Sequence, residues 1–481
     1  MFFQKPIFQF YTAAILFFAC IVISIFFHSN LVLVIPFIWL LFPFVFDFCV
    51  NRTEDLFWLL IVALPLSSEL NITPSLGIDF PDEICMMLLT GLFFLKVLYQ
   101  PSWFPKNLYK EPIFLLLLLI VGWTFVTVCY ANNPMLSLKF FLARIWYIVP
   151  FVLLPQFLLQ SQTQIRKFTL LLLIPMLFVV LQALLRHSFY GFSFVDVKKA
   201  MNPFFRNHVN YSSMLVCLLV PAIAMHHLTT KENKYRKWIS IAIVIGIVGL
   251  IFSYSRGAWL ALVVGLLFAL IMKWGWVKKI AIAAIVLLIA AGSWLYVDYN
   301  YMRFAPDHDH TIFHTDFSEH IAATVTLKDV SNAERFYRWV AGYRMFVERP
   351  MTGFGPNNFY TTYRSYTLNV FETWVSDNPE HSTIHNYFLL TLAEQGIPGL
   401  VLLLLLWLAM LFRLQYLYHR LQNKFYRTVA MSVAVVLAML TSLNFMSDMI
   451  ETDKIGSLFW VSLGFVFILN SKLLEERNSI A

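Results

Sequence analysis

Fourteen apolar blocks constrain this chain more than any other feature. They lie at about 9–27, 31–50, 55–68, 83–99, 113–130, 140–159, 167–186, 208–227, 238–254, 256–273, 278–297, 386–412, 427–446 and 455–471. A helix needs about 20 apolar residues to cross a bilayer, and most of the blocks approach that length. The block at 55–68 is short, and 238–273 can be divided differently. The expectation is therefore an all-α polytopic transmembrane bundle of about 12–14 helices. Composition agrees: 59% of the chain is hydrophobic and 13% charged, where soluble domains carry roughly 45–50% and about 25%. The 48 Phe residues suit lipid-facing and interfacial surface. The blocks leave one large segment outside the membrane and divide the chain into an N-terminal bundle, 1–297, a loop domain with amphipathic helices, 298–385, and C-terminal helices, 386–481. The first block reads as a retained helix, because similar blocks follow it and no small-residue cleavage site stands out.

Charge orients the blocks. With the N-terminus inside, the inside connections hold Lys96, Lys106, Lys110, Arg166, Lys167, Lys231, Lys234, Arg236 and Lys237, then Lys273, Lys278, Lys279, Arg413, Arg420, Lys424 and Arg427. Lys5, Arg52, Lys472 and Arg477 bring the total to 20 of the 35 basic residues. Three short outer connections, 69–82, 131–138 and 447–454, hold a single Lys between them. The positive-inside bias thus fits at every inside loop, places both termini inside, and accounts for the net charge of +8 without a nucleic-acid partner. Cys20, Cys49, Cys85, Cys129 and Cys217 lie in or beside apolar blocks without metal-ligand spacing, so neither a disulfide framework nor a zinc site is expected.

The other 15 basic residues run against this bias, and most of them gather. Arg186, Lys198, Lys199 and Arg206 sit in or beside the outer loop 187–207, and Arg256 sits at the tight outer turn Ser253–Gly257. Seven more, including Arg335 and Arg338, lie in 298–385. Arg144 lies near the outer end of a helix, where a buried charge is costly and often functional. Singly, each reads as solvated loop charge or an interfacial anchor. Together they read as an anion site on one face, since Arg holds phosphate through paired hydrogen bonds.

The long segment is rich in Phe, Tyr and Trp, which argues for a folded unit over disorder. Over Ala333–Arg349 the residues Phe336, Trp339, Val340, Tyr343, Phe346 and Val347 repeat at helical spacing. At 100° per residue Arg335, Arg338 and Arg349 fall within about 60° of one another beside that face. The expectation is an amphipathic helix on the membrane, its arginines over a lipid phosphate. Pro350 ends it, and Gly353-Phe-Gly355-Pro356-Asn357-Asn358 reads as a turn. His381-Ser-Thr-Ile-His385-Asn386 then leads into a helix interrupted by Gly396-Ile-Pro398-Gly399. This predicts a short surface helix to Gln395, a break, and a span. Glu380 and His381 are candidates only by proximity. His308, His310, His314 and His320, with Asp307, Asp309 and Asp316, have metal-like spacing but no supporting context, so no metal site is expected.

Three of these features, in this order, resemble the O-antigen ligases and related polysaccharide polymerases of bacterial envelopes. They are Ser255-Arg256-Gly257-Ala258-Trp259; Arg335-Phe-Tyr-Arg338-Trp339 followed by Pro350 and Gly353-Phe-Gly355-Pro356; and His385-Asn386, nine residues, then Gly396-Ile-Pro398-Gly399. They span 253–399, the last being the most specific, while the N-terminal third matches only in hydropathy. The resemblance implies a glycosyltransferase of the bacterial inner membrane with a periplasmic site. Its donor would be a glycan linked to undecaprenyl pyrophosphate and its acceptor a lipid A core. A polymerase, with a growing glycan as acceptor, is the alternative; a protein O-oligosaccharyltransferase or a polysaccharide transporter is less favoured, since the informative charges share one face and no inverted repeat is evident. The resemblance also implies roles. His385 takes the acceptor proton. Arg256 and Arg335 neutralise the departing pyrophosphate. From their positions on the same face, Arg338, Arg144, Lys198, Lys199, Arg206 and Asn386 are expected to bind substrate. With arginines as the charge stabilisers, no metal and no cofactor are expected, and a single displacement inverts the anomeric carbon. The partners are then donor, acceptor and bilayer; the sequence leaves the oligomeric state open.

Overall fold

A computed structural model describes residues 51–73, 76–104, 106–304, 330–373, 376–378 and 382–479, with isolated positions 12, 15, 17–20 and 47. The blocks at 9–27 and 31–50 fall almost wholly outside the described residues, as do His308–His320, Glu380 and His381.

The described chain is helices joined by turns and loops, with one hairpin. Its principal helices are α1 (Thr53–Leu66), α2 (Asp82–Tyr99), α3 (Pro112–Cys129), α4 (Pro134–Ile148), α5 (Gln162–Ser188), α6 (His208–Leu228), α7 (Tyr235–Ile251) and α8 (Arg256–Trp274). They continue with α9 (Val277–Tyr296), α10 (Val330–Glu348), α11 (Tyr387–Arg420), α12 (Lys424–Met446) and α13 (Asp453–Asn478). Between α1 and α2, the strands β1 (Ser68–Thr73) and β2 (Leu76–Phe80) pair antiparallel, Glu69 opposite Asp79. Sequence reasoning read that stretch as a plain connection. Among the described residues, nine helices are long and apolar enough to span a membrane. The helices α1, α2 and α7 occupy three more of the expected blocks, and the two remaining blocks are the N-terminal ones.

The surface states the solvent. Leu118, Leu119, Ile174, Phe178, Leu266, Leu267, Leu287 and Ile289 are all exposed along α3, α5, α8 and α9. Such continuous apolar surface is stable in lipid, where helices satisfy their own backbone groups. The protein is an all-α multi-pass membrane protein. At its centre stands α13, its residues Ile455, Phe459, Leu463, Val466 and Leu469 fully buried. The helix α8 packs along α12, and α11 packs on both α12 and α3.

Connections sort onto two faces as the charge alternation requires. On one face Arg206 pairs with Glu69, Lys454 donates to Ser67 O (2.7 Å) and to Phe204 O, and Tyr254 donates to Phe192 O (2.9 Å). On the same face Asn132 N meets Phe354 O (3.1 Å), and Tyr387 N meets Ser447 O (3.1 Å). On the opposite face Arg166 lies over Phe425, His419 meets Met272 O (3.0 Å), Asn470 binds Glu111, and Gln422 N binds Glu476 (2.9 Å). That second face carries the basic connections, and the first carries His385.

The helix α10 forms where the spacing predicts it, but with a different face inward. Ala333, Tyr337, Val340, Ala341 and Met345 are buried, whereas Tyr343 and Val347 are exposed. Arg338 is on the buried side, 5% exposed, and not over a lipid phosphate. Small residues decide this. Ala333, Ala341 and Gly342 let α10 approach Ile384 and α11 closely, and a Cβ at Gly342 would stand 2.3 Å from Ile384 Cδ1.

Candidate functional site

The five residues Ser382–Asn386 are held almost atom by atom. Asn378, itself left-handed at φ 49°, accepts from Ser382 N (2.9 Å) and donates to Ser382 O (2.8 Å). Arg338 donates to Thr383 O (3.2 Å), and the Thr383 hydroxyl donates to Asp448. Trp339 Nε1 donates to Ile384 O (3.0 Å), and Ile384 is fully buried against Gly342. Asn386 caps α11, its side chain accepting from Leu389 N (3.0 Å). The residue left between these anchors, His385, adopts φ 55°. For a residue with a Cβ this left-handed conformation costs on the order of 1 kcal/mol or more, and such strain persists only where the surroundings over-determine it.

Arg338 itself is fixed from behind. Its Nη2 pairs with Glu334 Oε2 at 3.0 Å, the two side chains 6% and 8% exposed. Glu334 also accepts from the hydroxyls of Thr373 and Ser376. A buried pair like this specifies geometry more than it adds stability. Arg335, nearly one turn earlier and half-buried, donates to Asn332 Oδ1 (3.3 Å).

Electrostatics at His385 follow from these placements. Burial first, then the charges of Arg338 and Arg335, hold the imidazole well below its ordinary value, at about 3. It is therefore neutral at physiological pH. Its Nδ1 lies 3.9 Å from Asp448 Oδ1, too far for a hydrogen bond but close enough to orient the ring. Burial holds the Asp448 carboxyl above its ordinary value, opposed by the Thr383 hydrogen bond and Arg338. Glu451, one turn on, is raised well above its ordinary value by burial and then by Glu394 and Asp448, while Arg144 opposes.

Arg144 is buried beside this group. It donates to Thr124 Oγ1 (2.8 Å) and to Tyr387 Oη (3.2 Å), and its guanidinium lies 4.9 Å from the Phe140 ring centroid. With Tyr387, Glu83, Glu451 and Asp453 it faces a cavity of about 110 Å³ whose walls include Trp146 and Trp460.

The two glycine motifs turn out to be one interlock. The break in α11 falls at Gly396, φ 68° and ψ −171°. A Cβ there would lie 2.2 Å from Met351 O, and one at Gly353 would lie 2.3 Å from the Glu394 carbonyl carbon. The two backbones touch because neither glycine has a side chain, and they are tied by Phe354 N to Ala393 O (3.2 Å), Gly355 N to Glu394 O (2.9 Å) and Ile397 N to Pro350 O (2.8 Å). The Glu394 carboxylate closes the turn, accepting from Asn357 N (2.9 Å) and Phe359 N (2.8 Å). Trp123 donates to Gln395 O (2.9 Å) and packs where Gly399 leaves room.

The other sequence candidates sit on the same face with different neighbours. Arg256, half-buried, is the first residue of α8. The reversal before it is fixed by Tyr254 at φ 52° and by Trp259 Nε1 donating to Leu250 O (3.0 Å). Lys199 pairs with Asp196 (2.7 Å) and Arg206 with Glu69, both exposed, and Lys198 is exposed on the short helix Val197–Ala200. The structure therefore brings His385, Arg335, Arg338, Arg144 and Asn386 together, and ties Lys199 and Arg206 to carboxylates of the neighbouring loop and hairpin. Sequence reasoning missed Asp448, Glu334, Asn378 and Glu394. The acidic run of the outer loop 447–454 was the only available signal for any of them. Among the described residues no group of three or more His, Cys, Asp or Glu side chains is arranged to hold a metal ion.

Residues 241–404 match the family described as O-Antigen ligase. Over these residues, about a third of the chain, the protein is similar to that family. The matched stretch runs from α7 through Arg256, Arg335, Arg338 and His385 into the spanning half of α11, and so contains the whole Ser382–Asn386 clamp except Asp448. No curated protein matches the chain. The family match supports a membrane enzyme of the O-antigen ligase or polymerase type.

Proposed function

We propose that this protein is an O-antigen ligase that moves a glycan from undecaprenyl pyrophosphate to a lipid A core, at the periplasmic face of the bacterial inner membrane. The observation that carries the reading is His385: a left-handed, neutral imidazole clamped between α10 and the loop carrying Asp448, with two arginines bearing on its charge. The basic face lies in the cytoplasm, with both termini, and the His385 face outside.

The reaction is one displacement. An acceptor hydroxyl attacks the anomeric carbon, the bond from that carbon to the pyrophosphate oxygen breaks, and His385 takes the hydroxyl proton. Arg335 and Arg256 receive the negative charge of the departing pyrophosphate, and the configuration inverts. Arg338 acts as a positioning residue, holding Thr383 and through it the His385 backbone. A pKa of about 3 makes the free imidazole a weak base. A bound pyrophosphate offsets the arginine charges, the smaller of the two causes after burial, and so raises the basicity of the imidazole.

The test is deletion of the gene and complementation by wild type or His385→Ala at matched expression, with analysis of lipopolysaccharide and lipid-linked glycans. Bare core together with long polymer on undecaprenyl pyrophosphate is the expected result for both deletion and variant. Core carrying a single repeat would make the protein a polymerase. A normal ladder restored by His385→Ala would overturn the assignment of the base.

A further inference from the structure

Two apolar cavities open on the face opposite His385 and share one cation. The larger, about 430 Å³, lies between α5, α6 and α7 and extends from Arg166, Thr229 and Trp238 to Val180 and Gly246. The smaller, about 100 Å³, lies between α5, α6, α12 and α13 and extends from Arg166 and Phe425 to Val436. Arg166, Leu218 and Met225 line both. Leu218 and Met225 form the wall between the two slots, and Arg166 stands at both mouths. Its guanidinium lies 5.2 Å from the Phe425 ring centroid. No carboxylate pairs with it among the described residues.

We propose that this is a site for a two-chain anionic phospholipid of that leaflet, its phosphate on Arg166, one acyl chain along the larger cavity and the first few methylenes of the other in the smaller. Three features select this occupant. The first is charge: a half-buried arginine at the membrane surface without an anion of its own is a phosphate ligand. The second is length. From Arg166 to Val180 the groove follows α5 for about 21 Å at the helical rise, enough for a chain confined to one leaflet, about half of the roughly 30 Å hydrocarbon core. The third is the number of slots: one cation serving two cavities fits one phosphate with two chains, and a single-chain polyprenyl phosphate would leave one slot unfilled. Tyr235 and Trp238, both exposed at the mouth of the larger cavity, sit at headgroup level, as interfacial aromatics do. The bound lipid would join α5, α6 and α7 to α12 across a gap that side chains leave open. The proposal is independent of the chemistry at His385.

The experiment is native mass spectrometry of delipidated protein in detergent, titrated with dioleoyl phosphatidylglycerol, dioleoyl phosphatidylcholine and one-chain lysophosphatidylglycerol. Wild type should bind phosphatidylglycerol about fivefold more tightly than phosphatidylcholine, from the ~1 kcal/mol that one basic residue contributes beside an anionic headgroup, and more tightly than lysophosphatidylglycerol, which leaves one slot empty. Arg166→Ala should erase the preference over phosphatidylcholine. Ala242→Phe, which fills the larger cavity and leaves Arg166 in place, should weaken both two-chain lipids. Equal wild-type binding of phosphatidylglycerol and phosphatidylcholine would overturn the anionic site, and that comparison needs no variant. Persistence of the preference in Arg166→Ala would overturn the role of that residue, and lysophosphatidylglycerol binding as tightly as the two-chain lipid would overturn the paired slots.

Discussion

Replacing Gly396 with Ala tests whether the glycine motifs act as one backbone interlock. At φ 68° and ψ −171° a residue with a Cβ is strained by about 1–3 kcal/mol. The added carbon would also stand 2.2 Å from Met351 O and 2.5 Å from its carbonyl carbon, atoms of a backbone that cannot swing away as a flexible side chain can. Relief requires the 350–355 turn to separate from α11, which loosens the three backbone bonds joining them, each contributing about 0.5–1.5 kcal/mol. The expected loss is ~3 kcal/mol or more. The turn also carries Asn357 and Phe359, bound to Glu394, so its displacement carries the start of α11, and His385 with it. Stability would be read by unfolding in mixed detergent micelles, and function by the glycan ladder. Gly122→Ala is the control: Gly122 lies in α3 with open space around its Cβ position, and alanine there should be neutral or stabilise by up to ~1 kcal/mol. If Gly396→Ala unfolds within 0.5 kcal/mol of wild type (about the error of such data) and keeps a full ladder, the interlock argument fails.

Other substitutions separate holding from chemistry. Arg338→Ala leaves Glu334 buried without its cation and should cost about 3–5 kcal/mol; partial recovery of stability by Arg338→Ala combined with Glu334→Leu would assign that part of the loss to the orphaned carboxylate, the remainder lying in the bonds to Thr383, Thr373 and Ser376. Glu394→Gln keeps one acceptor for two backbone donors and should cost about 1–2 kcal/mol, with a smaller fall in activity than Gly396→Ala, measured by the same unfolding and ladder assays. The pH dependence follows from His385. Its folded pKa lies below its unfolded value, so between about 6.5 and about 3 the unfolded chain binds more protons, and the neutral imidazole lowers stability as pH falls through that window. Arg335→Gln removes one repelling charge and should raise the pKa, moving the acid limb of kcat/KM to higher pH; a limb that stays or moves lower would show that Arg335 does not act on His385.

Much of this molecule was legible in the sequence because the membrane imposes long-range order on local composition. Apolar run length fixed the helices, and Lys and Arg placement sorted the connections onto two faces, since both signals are read from adjacent residues. The break at Gly396 and the turn at Gly353–Asn358 were legible for the same reason. Pairings across the chain were not. Nothing near Asp448 marks it as the neighbour of a histidine 63 positions earlier, and Glu394 reads as one polar residue in an apolar helix until the turn it caps is placed against it. The inward face of α10 is not the one its large apolar residues indicate, because Ala333, Ala341 and Gly342 permit the closest approach. The β-hairpin at 68–80 was missed because it replaces a connection that carried no apolar block.

The division of labour within the site explains why so many of its residues never need to meet a substrate. Asn378, Arg338, Trp339, Asp448 and Ser447 all bind the 382–387 stretch, most of them at its backbone. Their combined effect is to force one residue, His385, into a conformation that its own side chain disfavours. The same arrangement places Arg338 and Arg335 where they repel a proton on the imidazole. Both features are unfavourable in the free protein, and an anion between the arginines relieves the second. A pyrophosphate donor would therefore be bound partly through relief of that repulsion, and the same event would raise the basicity of the imidazole that is to activate an acceptor, burial still holding it down.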